Sequence, residues 1–204
     1  MSVAIIDYAA GNLTSVERAL QSLDVPCQIT ADPERIAAAE RVIFPGVGAA
    51  ESCMANLRAA GMDQALADAV AAGKPVLGIC VGMQLLFDHS DEDGGVDCLG
   101  LLPGRVRRFS PTQRDCKVPH MGWNEVRPTV TDEPLFADLP AGEACYFVHS
   151  FYCEPAETVL TIAESDHGES FCCGVRRDNL VAVQFHPEKS GPVGLAMLRR
   201  FCAG

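Results

Sequence analysis

The chain has 204 residues, of which 48% are hydrophobic and 21% charged, and it carries a formal net charge of −11 with 10 cysteines. That length suits one compact domain with a well-filled core and excludes gross disorder. The acidity argues against general binding to nucleic acid or anionic membrane, both of which draw on Lys and Arg. No apolar run reaches the ~18 residues needed to span a bilayer, and the opening MSVAIIDYAAGN lacks a basic n-region and is broken at Asp7. A cytoplasmic protein that binds neither nucleic acid nor membrane is expected. Thiols stay reduced in that compartment, and the cysteines are scattered without a CxxC pair. Most of them therefore read as small buried hydrophobes, and no metal site is expected.

The first half alternates strand and helix. VAIID (3–7) is a β-rich run, and residues 12–23 set Val16, Ala19, Leu20 and Leu23 on one helical face. VPCQIT is a second strand. DPERIAAAE opens with a cap and a first-turn proline, and RVIFPG is a third strand. An Ala-rich helical region over 49–72 is broken near Gly61, and PVLGI is a fourth strand. Strands separated by helices of this length predict right-handed βαβ units. In the second half LLPGRVRRF, VPHMGWNEV, ACYFVHSFY, TVLTIAES and FCCGVRRDNLVAVQFH read as strands, with a hairpin turn at RRDN. GRVRRF reads as a solvated strand edge. SGPVGLAMLRRF is a closing helix with Val193, Met197 and Phe201 on one face. The expected fold class is α/β, a mostly parallel central sheet flanked by helices with additional antiparallel strands in the second half, in a single domain over 1–204.

Three stretches carry chemistry. GICVG (78–82) fits G-x-C-x-G, the thiol form of the nucleophile elbow, with an apolar strand before it and the helix-like MQLLF after it. A cysteine on such a turn sits in a strained backbone conformation beside a helix N-terminus, which favours a thiolate and offers N–H groups to an oxyanion. The competing reading of Cys80 is one more buried thiol. VAVQFHPEKS (181–190) delivers His186 at a strand end and Glu188 two residues on, a base and its orienting acid. Alone, His186 leans structural, as do the other four histidines. FPGVG (44–48) is a second strand end followed by Gly-x-Gly, which turns backbone N–H groups into a site; a plain turn is the alternative, and a phosphate loop lacks its Lys-Ser/Thr.

GICVGMQ, a distant FHPEKS and an upstream PGVG together resemble the class I (triad-type) glutamine amidotransferases. IIDYAAGNLTSV, LGLLPGRVRRF, VPHMGWN and YFVHSFY, in order between residues 3 and 190, narrow the resemblance to the glutaminase subunits of imidazole glycerol phosphate synthases. One departure is visible: the family's glycine in DYG-x-GN is Ala9 here.

The resemblance implies a catalytic triad of Cys80, His186 and Glu188, and an oxyanion site at the N–H groups of Val47 and Val81. It implies glutamine contacts at Gly46, Gly48, Gln84, Glu92, Ser150 and Phe151. A helix-surface role for Gln84 and a solvated acidic loop at Glu92 are the competing readings. Ammonia released from glutamine would be passed to a partner, the cyclase subunit of a heterodimer acting in histidine biosynthesis. The resemblance places that interface at Asn12, Trp123, Tyr146 and Lys189, of which Trp123 and Tyr146 read equally as core. No cofactor is expected. Alternatives are the glutaminase of a different synthase, another Cys-His hydrolase on a similar sheet, and a non-catalytic scaffold.

Overall fold

Short runs of aliphatic and β-branched residues build the parallel half of the central sheet. In the computed structural model, which describes residues 2–9, 11–110, 116–137, 139–140 and 142–203, β1 (Val3–Ile6) lies between β2 (Cys27–Thr30) and β3 (Arg41–Gly46), and β3 pairs with β4 (Val76–Cys80), all parallel. Every residue of β1 and β4 is buried, as strands covered on both faces require. The covering helices are α1 (Leu13–Gln21), α2 (Pro33–Ala38), α3 (Ala50–Ala59) and α4 (Met62–Ala71). The stripe predicted for α1 is the face it buries, through Val16, Ala19 and Leu20. Asp32 caps α2 by accepting the Glu34 N–H, with Pro33 in the first turn. The break between α3 and α4 falls at Gly61, whose φ of 67° suits glycine.

The chain continues through α5 (Val81–Gln84), β5 (His89–Ser90), β6 (Val96–Asp97), β7 (Gly104–Arg108), β8 (His120–Glu125), β9 (Arg127–Pro128), β10 (Ala144–His149), β11 (Phe151–Pro155), β12 (Thr161–Asp166), β13 (Ser170–Arg177), β14 (Leu180–Val183) and α6 (Gly191–Ala203). The sheet order is β2-β1-β3-β4-β14-β13-β11-β7-β5-β6, with β12 and β9 joined beside β13. β14 pairs in parallel with β4, and from there β13, β11 and β7 each run antiparallel to the strand before, while β5 pairs in parallel with β7. β13 and β14 turn at Asp178 and Asn179, within the RRDN expected to turn. β8 and β10 form a separate antiparallel ribbon. This is the α/β architecture expected, with the antiparallel additions in the second half.

Two expectations need correcting. GRVRRF is not a strand edge: β7 is paired on both sides, with β11 and β5, and its Arg105 and Arg107 both reach Glu154. The alternating charges mark one face of an internal strand. The helix expected through MQLLF is a single turn, because Leu85, Leu86 and Phe87 are fully buried and leave no polar face for an amphipathic helix to continue.

Ala9, the departure in the first motif, falls where the backbone favours glycine. Its φ is 58°, in the left-handed region where a Cβ is costly. Its neighbour Ala10 lies outside the described residues. Ala9→Gly is expected to stabilise the fold by about 0.5–1 kcal/mol, the relieved strain less the greater entropy of unfolded glycine. Thermal melting checks this, and a melting temperature below that of the parent chain would contradict it.

Candidate active site

The site forms where β3, β4 and β14 end side by side. β4 stops at Cys80 and α5 starts at the next residue, so the chain reverses on the cysteine itself, at φ 56° and ψ −114°. A non-glycine residue there is strained by about 1–3 kcal/mol and persists only where the surroundings enforce it. They do so through close backbone packing: a Cβ on Gly82 would collide with the Phe44 carbonyl oxygen, and one on Gly46 would come within 2.5 Å of the Tyr8 hydroxyl and 2.8 Å of the Gly82 nitrogen. Tyr8 donates to the Pro45 carbonyl at 3.0 Å and ties β3's end to this packing.

β14 leads into His186, and Pro187 opens a 3₁₀ turn over Pro187–Lys189. His186 Nδ1 lies 2.8 Å from Glu188 Oε1, and both side chains are 2% exposed. The loop is pinned to β10: the His186 N–H donates to the Tyr146 carbonyl at 2.9 Å, while Ser190 Oγ donates to the His186 carbonyl at 2.6 Å and accepts the Tyr146 N–H at 3.0 Å. His186 Nε2 is buried and without a hydrogen-bond partner among the described residues. Burial disfavours the imidazolium, but an anionic Cys80 sulfur and the Glu188 carboxylate outweigh it and raise the His186 pKa to about 10. His186 is thereby suited to take a proton from the Cys80 sulfur.

A cleft of about 290 Å³ opens over Cys80 and His186, at the small end for ligand sites. Val47, Gly48, Val81, Gln84, Glu92, Ser150 and Phe151 line it, joined by Pro119, Val148 and His149. Gly46 lies beneath the elbow instead, buried by the packing described above. Glu92 is not a free loop acid: Oε2 accepts the Ala50 N–H at 2.8 Å, and burial raises its pKa. Gln84 is no helix-surface residue; it is buried, and its amide nitrogen donates to the Phe151 carbonyl at 2.9 Å and to Gln184 Oε1 at 3.0 Å. The Val47 carbonyl accepts the Cys53 thiol at 3.5 Å.

Trp123 is 59% exposed and faces Tyr146 across the β8–β10 ribbon, with ring centroids 6.2 Å apart. Lys189 Nζ lies 5.9 Å over the Tyr146 ring. Asn12 stands at the start of α1 and accepts the Ser15 hydroxyl at 2.7 Å. Met121, also on β8 and 63% exposed, was missed by sequence reasoning, although alternation along HMGWN places it on Trp123's face. Also missed were His149 and Gln184, both buried polar residues at the site; they stand within YFVHSFY and VAVQFHPEKS, where nothing singles them out.

His120 and His149 are buried, and their rings are 2.9 Å apart between Nδ1 and Nε2. Burial, aided by neighbouring histidines, lowers their pKa values to about 4 and about 3. Unfolding restores the ordinary value near 6.5, so between about pH 6.5 and 4 the unfolded chain binds more protons and stability falls with pH. His186, raised to about 10, is protonated in both states below 6.5 and does not oppose this. The cost at pH 5 is about 2 kcal/mol per histidine. The melting temperature is thus expected to drop clearly from pH 7 to pH 5, and a flat profile would contradict the buried neutral pair.

An open α/β sheet with a strained cysteine at a strand–helix turn, a buried His-Glu pair beside it and a small cleft above is the arrangement a cysteine-dependent hydrolase of the triad type would need. The chain belongs to the class-I glutamine amidotransferase family, whose model matches residues 4–203. It is 50% identical over 202 residues to the imidazole glycerol phosphate synthase subunit HisH of Nitrosococcus oceani, covering 98% of this chain and 96% of that one. It is 45% identical to the HisH subunit of Acinetobacter baylyi at the same coverages. Among solved structures, PurLQS from Thermotoga maritima matches with a TM-score of 0.74 at 19% identity, over 98% of this chain and 97% of that one. A solved glutamine amidotransferase matches with a TM-score of 0.74 at 18% identity, over 98% of this chain and 96% of that one. These two share the fold.

Proposed function

We propose that residues 1–204 form a single glutamine amidotransferase domain, the glutaminase subunit of an imidazole glycerol phosphate synthase. The observation that carries the chemistry is the strained Cys80 beside the buried His186–Glu188 pair. His186 Nε2 takes the thiol proton of Cys80 as Sγ attacks the side-chain amide carbon of glutamine, and the carbonyl oxygen becomes an oxyanion held by the Val81 N–H and, after the Gly46–Gly48 turn reorients, the Val47 N–H. The C–N bond breaks as His186 gives its Nε2 proton to the departing nitrogen, leaving a glutamyl thioester and ammonia. Water then adds to the thioester, its proton passing through His186, and releases glutamate and the free thiol. Glu188 accepts from Nδ1 throughout and holds the imidazole's tautomer and orientation. Glu92 faces the α-ammonium of glutamine, while Gln84 and the Ser150–Phe151 backbone shape the rest of the cleft. Gly48 contributes backbone at the cleft wall, and Gly46 packs the turn from below.

Ammonia loses its nucleophilicity once protonated in bulk water, so the subunit docks on a cyclase partner that consumes it directly, forming imidazole glycerol phosphate and an aminoimidazole carboxamide ribotide. Trp123, Tyr146, Lys189 and Asn12 are the proposed contacts; the exposed Trp123 and Met121 suit an interface better than solvent. No helix among the described residues is long and apolar enough to cross a membrane, and the proposed location is the cytoplasm. The test is glutamate release from glutamine by the chain alone, with the cyclase subunit, and with the cyclase and its nucleotide ligand. Rates that rise with the liganded partner support the assignment. Equal rates in all three settings sink the coupled partner, and no release in a formed complex sinks the glutaminase.

A further inference from the structure

Gln184 is fully buried, and no motif or family match gives it a role. Its amide nitrogen lies 3.8 Å from Cys80 Sγ, and its Oε1 accepts from Gln84. Which end of each amide points where can be deduced from one atom. The Phe151 carbonyl oxygen only accepts, and it is met by Gln84 Nε2 at 2.9 Å and His149 Nδ1 at 2.8 Å. The Gln84 group there is therefore its NH₂, which also donates to Gln184 Oε1, so the NH₂ of Gln184 must face the sulfur. On the other side, a neutral His149 with its proton on Nδ1 accepts at Nε2 from His120 Nδ1, at 2.9 Å. His120 Nε2 then accepts from Asn124 Nδ2 at 3.1 Å, which donates also to the Asp166 carbonyl at 2.7 Å. Every tautomer and amide is thereby fixed, in one hydrogen-bonded chain from the exposed ribbon strand β8 to the nucleophile.

We propose that Gln184 is a positioning residue for Cys80, donating an N–H to its sulfur, and that the chain Asn124–His120–His149–Phe151 carbonyl–Gln84 holds the Gln184 amide in the donating orientation. A long N–H···S contact is weak for a thiol and strengthens when the sulfur is anionic, so the donor favours the reactive form. The other titratable groups that interact with Cys80 are His186, Tyr8, Cys53 and Cys153; the last three carry protons when uncharged and leave Gln184 as the neutral amide donor beside the sulfur. The inference rests on Cys80 being the nucleophile.

The test is the rate at which iodoacetamide alkylates Cys80 in the full chain, read by mass spectrometry of the Cys80 peptide as a function of pH. This readout follows the thiol and does not depend on glutamine turnover. Gln184→Glu keeps the acceptor for Gln84 and removes the donor; Gln184→Met removes both. Each is expected to slow alkylation at neutral pH about tenfold and to move the midpoint of the pH profile upward. Gln84→Met removes the N–H that holds Gln184 Oε1, frees the Gln184 amide to turn and is expected to slow alkylation several-fold. Folded Gln184 variants alkylated at the parental rate with an unmoved midpoint would overturn the proposal. Should neither Gln184 variant fold, a folded Gln84→Met chain alkylated at the parental rate with an unmoved midpoint would overturn it. A Gln184-dependent Cys80 in a chain that releases no glutamate would leave this inference standing and remove the glutaminase.

Discussion

Cys80→Ala is expected to lower glutamate release by at least about four orders of magnitude while the chain still folds. The loss is large because the thioester route disappears with the sulfur, and oxyanion donors with an intact cleft cannot replace it. The fold should suffer little, since only a sulfur is removed from a site whose backbone is already strained. That strain offers a second reading of the same position. At φ 56° and ψ −114° a Cβ is a burden. Cys80→Gly should therefore be more stable than Cys80→Ala by about 1 kcal/mol, a reversal of the usual order of glycine and alanine. In a chain of this length that is about 2–4 °C in melting temperature. A Cys80→Ala chain with parental glutamate release would remove the nucleophile. An alanine variant more stable than the glycine one would remove the strained elbow.

Glu188→Gln should cost about three to four orders of magnitude in kcat with a much smaller change in KM. The side chain keeps its shape, but its amide can present an NH₂ to His186 Nδ1 where the carboxylate now accepts at 2.8 Å. His186 then carries its neutral-state proton on Nε2 and cannot act as base toward the sulfur. The carboxylate also helps to raise His186 to about 10, against the downward push of burial. Its removal lowers that pKa, so the high-pH limb of the activity profile should move to lower pH. Steady-state kinetics across the pH range check both parts. A variant with full kcat would mean that Glu188 is a structural acid. An unshifted high-pH limb would mean that His186 owes its proton to something else.

Much of the scaffold was legible because it rests on local signals. The stripe of Val16, Ala19 and Leu20, the Asp32–Pro33 cap and the glycine at 61 each act within a few residues, and each lies where periodicity and turn chemistry put it. The elbow was legible for a related reason: glycines at 78 and 82 are required by close packing against Ala182, Leu86 and the Phe44 carbonyl, so the site writes itself into the sequence as a spacing. What sequence reasoning missed depends on contacts between distant strands. That β7 is internal follows from pairing with β11 and β5, which alternation of charge cannot reveal. Gln184 looks like any polar residue in an alternating strand; only a separation of 100 residues closed by the fold brings Gln84 to it. His149 read as a structural histidine, and its partner His120 comes from another strand 29 positions away.

The most direct test of the central claim is to acid-quench the chain during glutamine turnover, with its cyclase partner present, and map the digested peptides by mass spectrometry. A glutamyl adduct is expected on the peptide carrying Cys80, absent from Cys80→Ala and lost again when glutamine is exhausted. Turnover with no adduct on Cys80, or an adduct on any of the other cysteines, would contradict it.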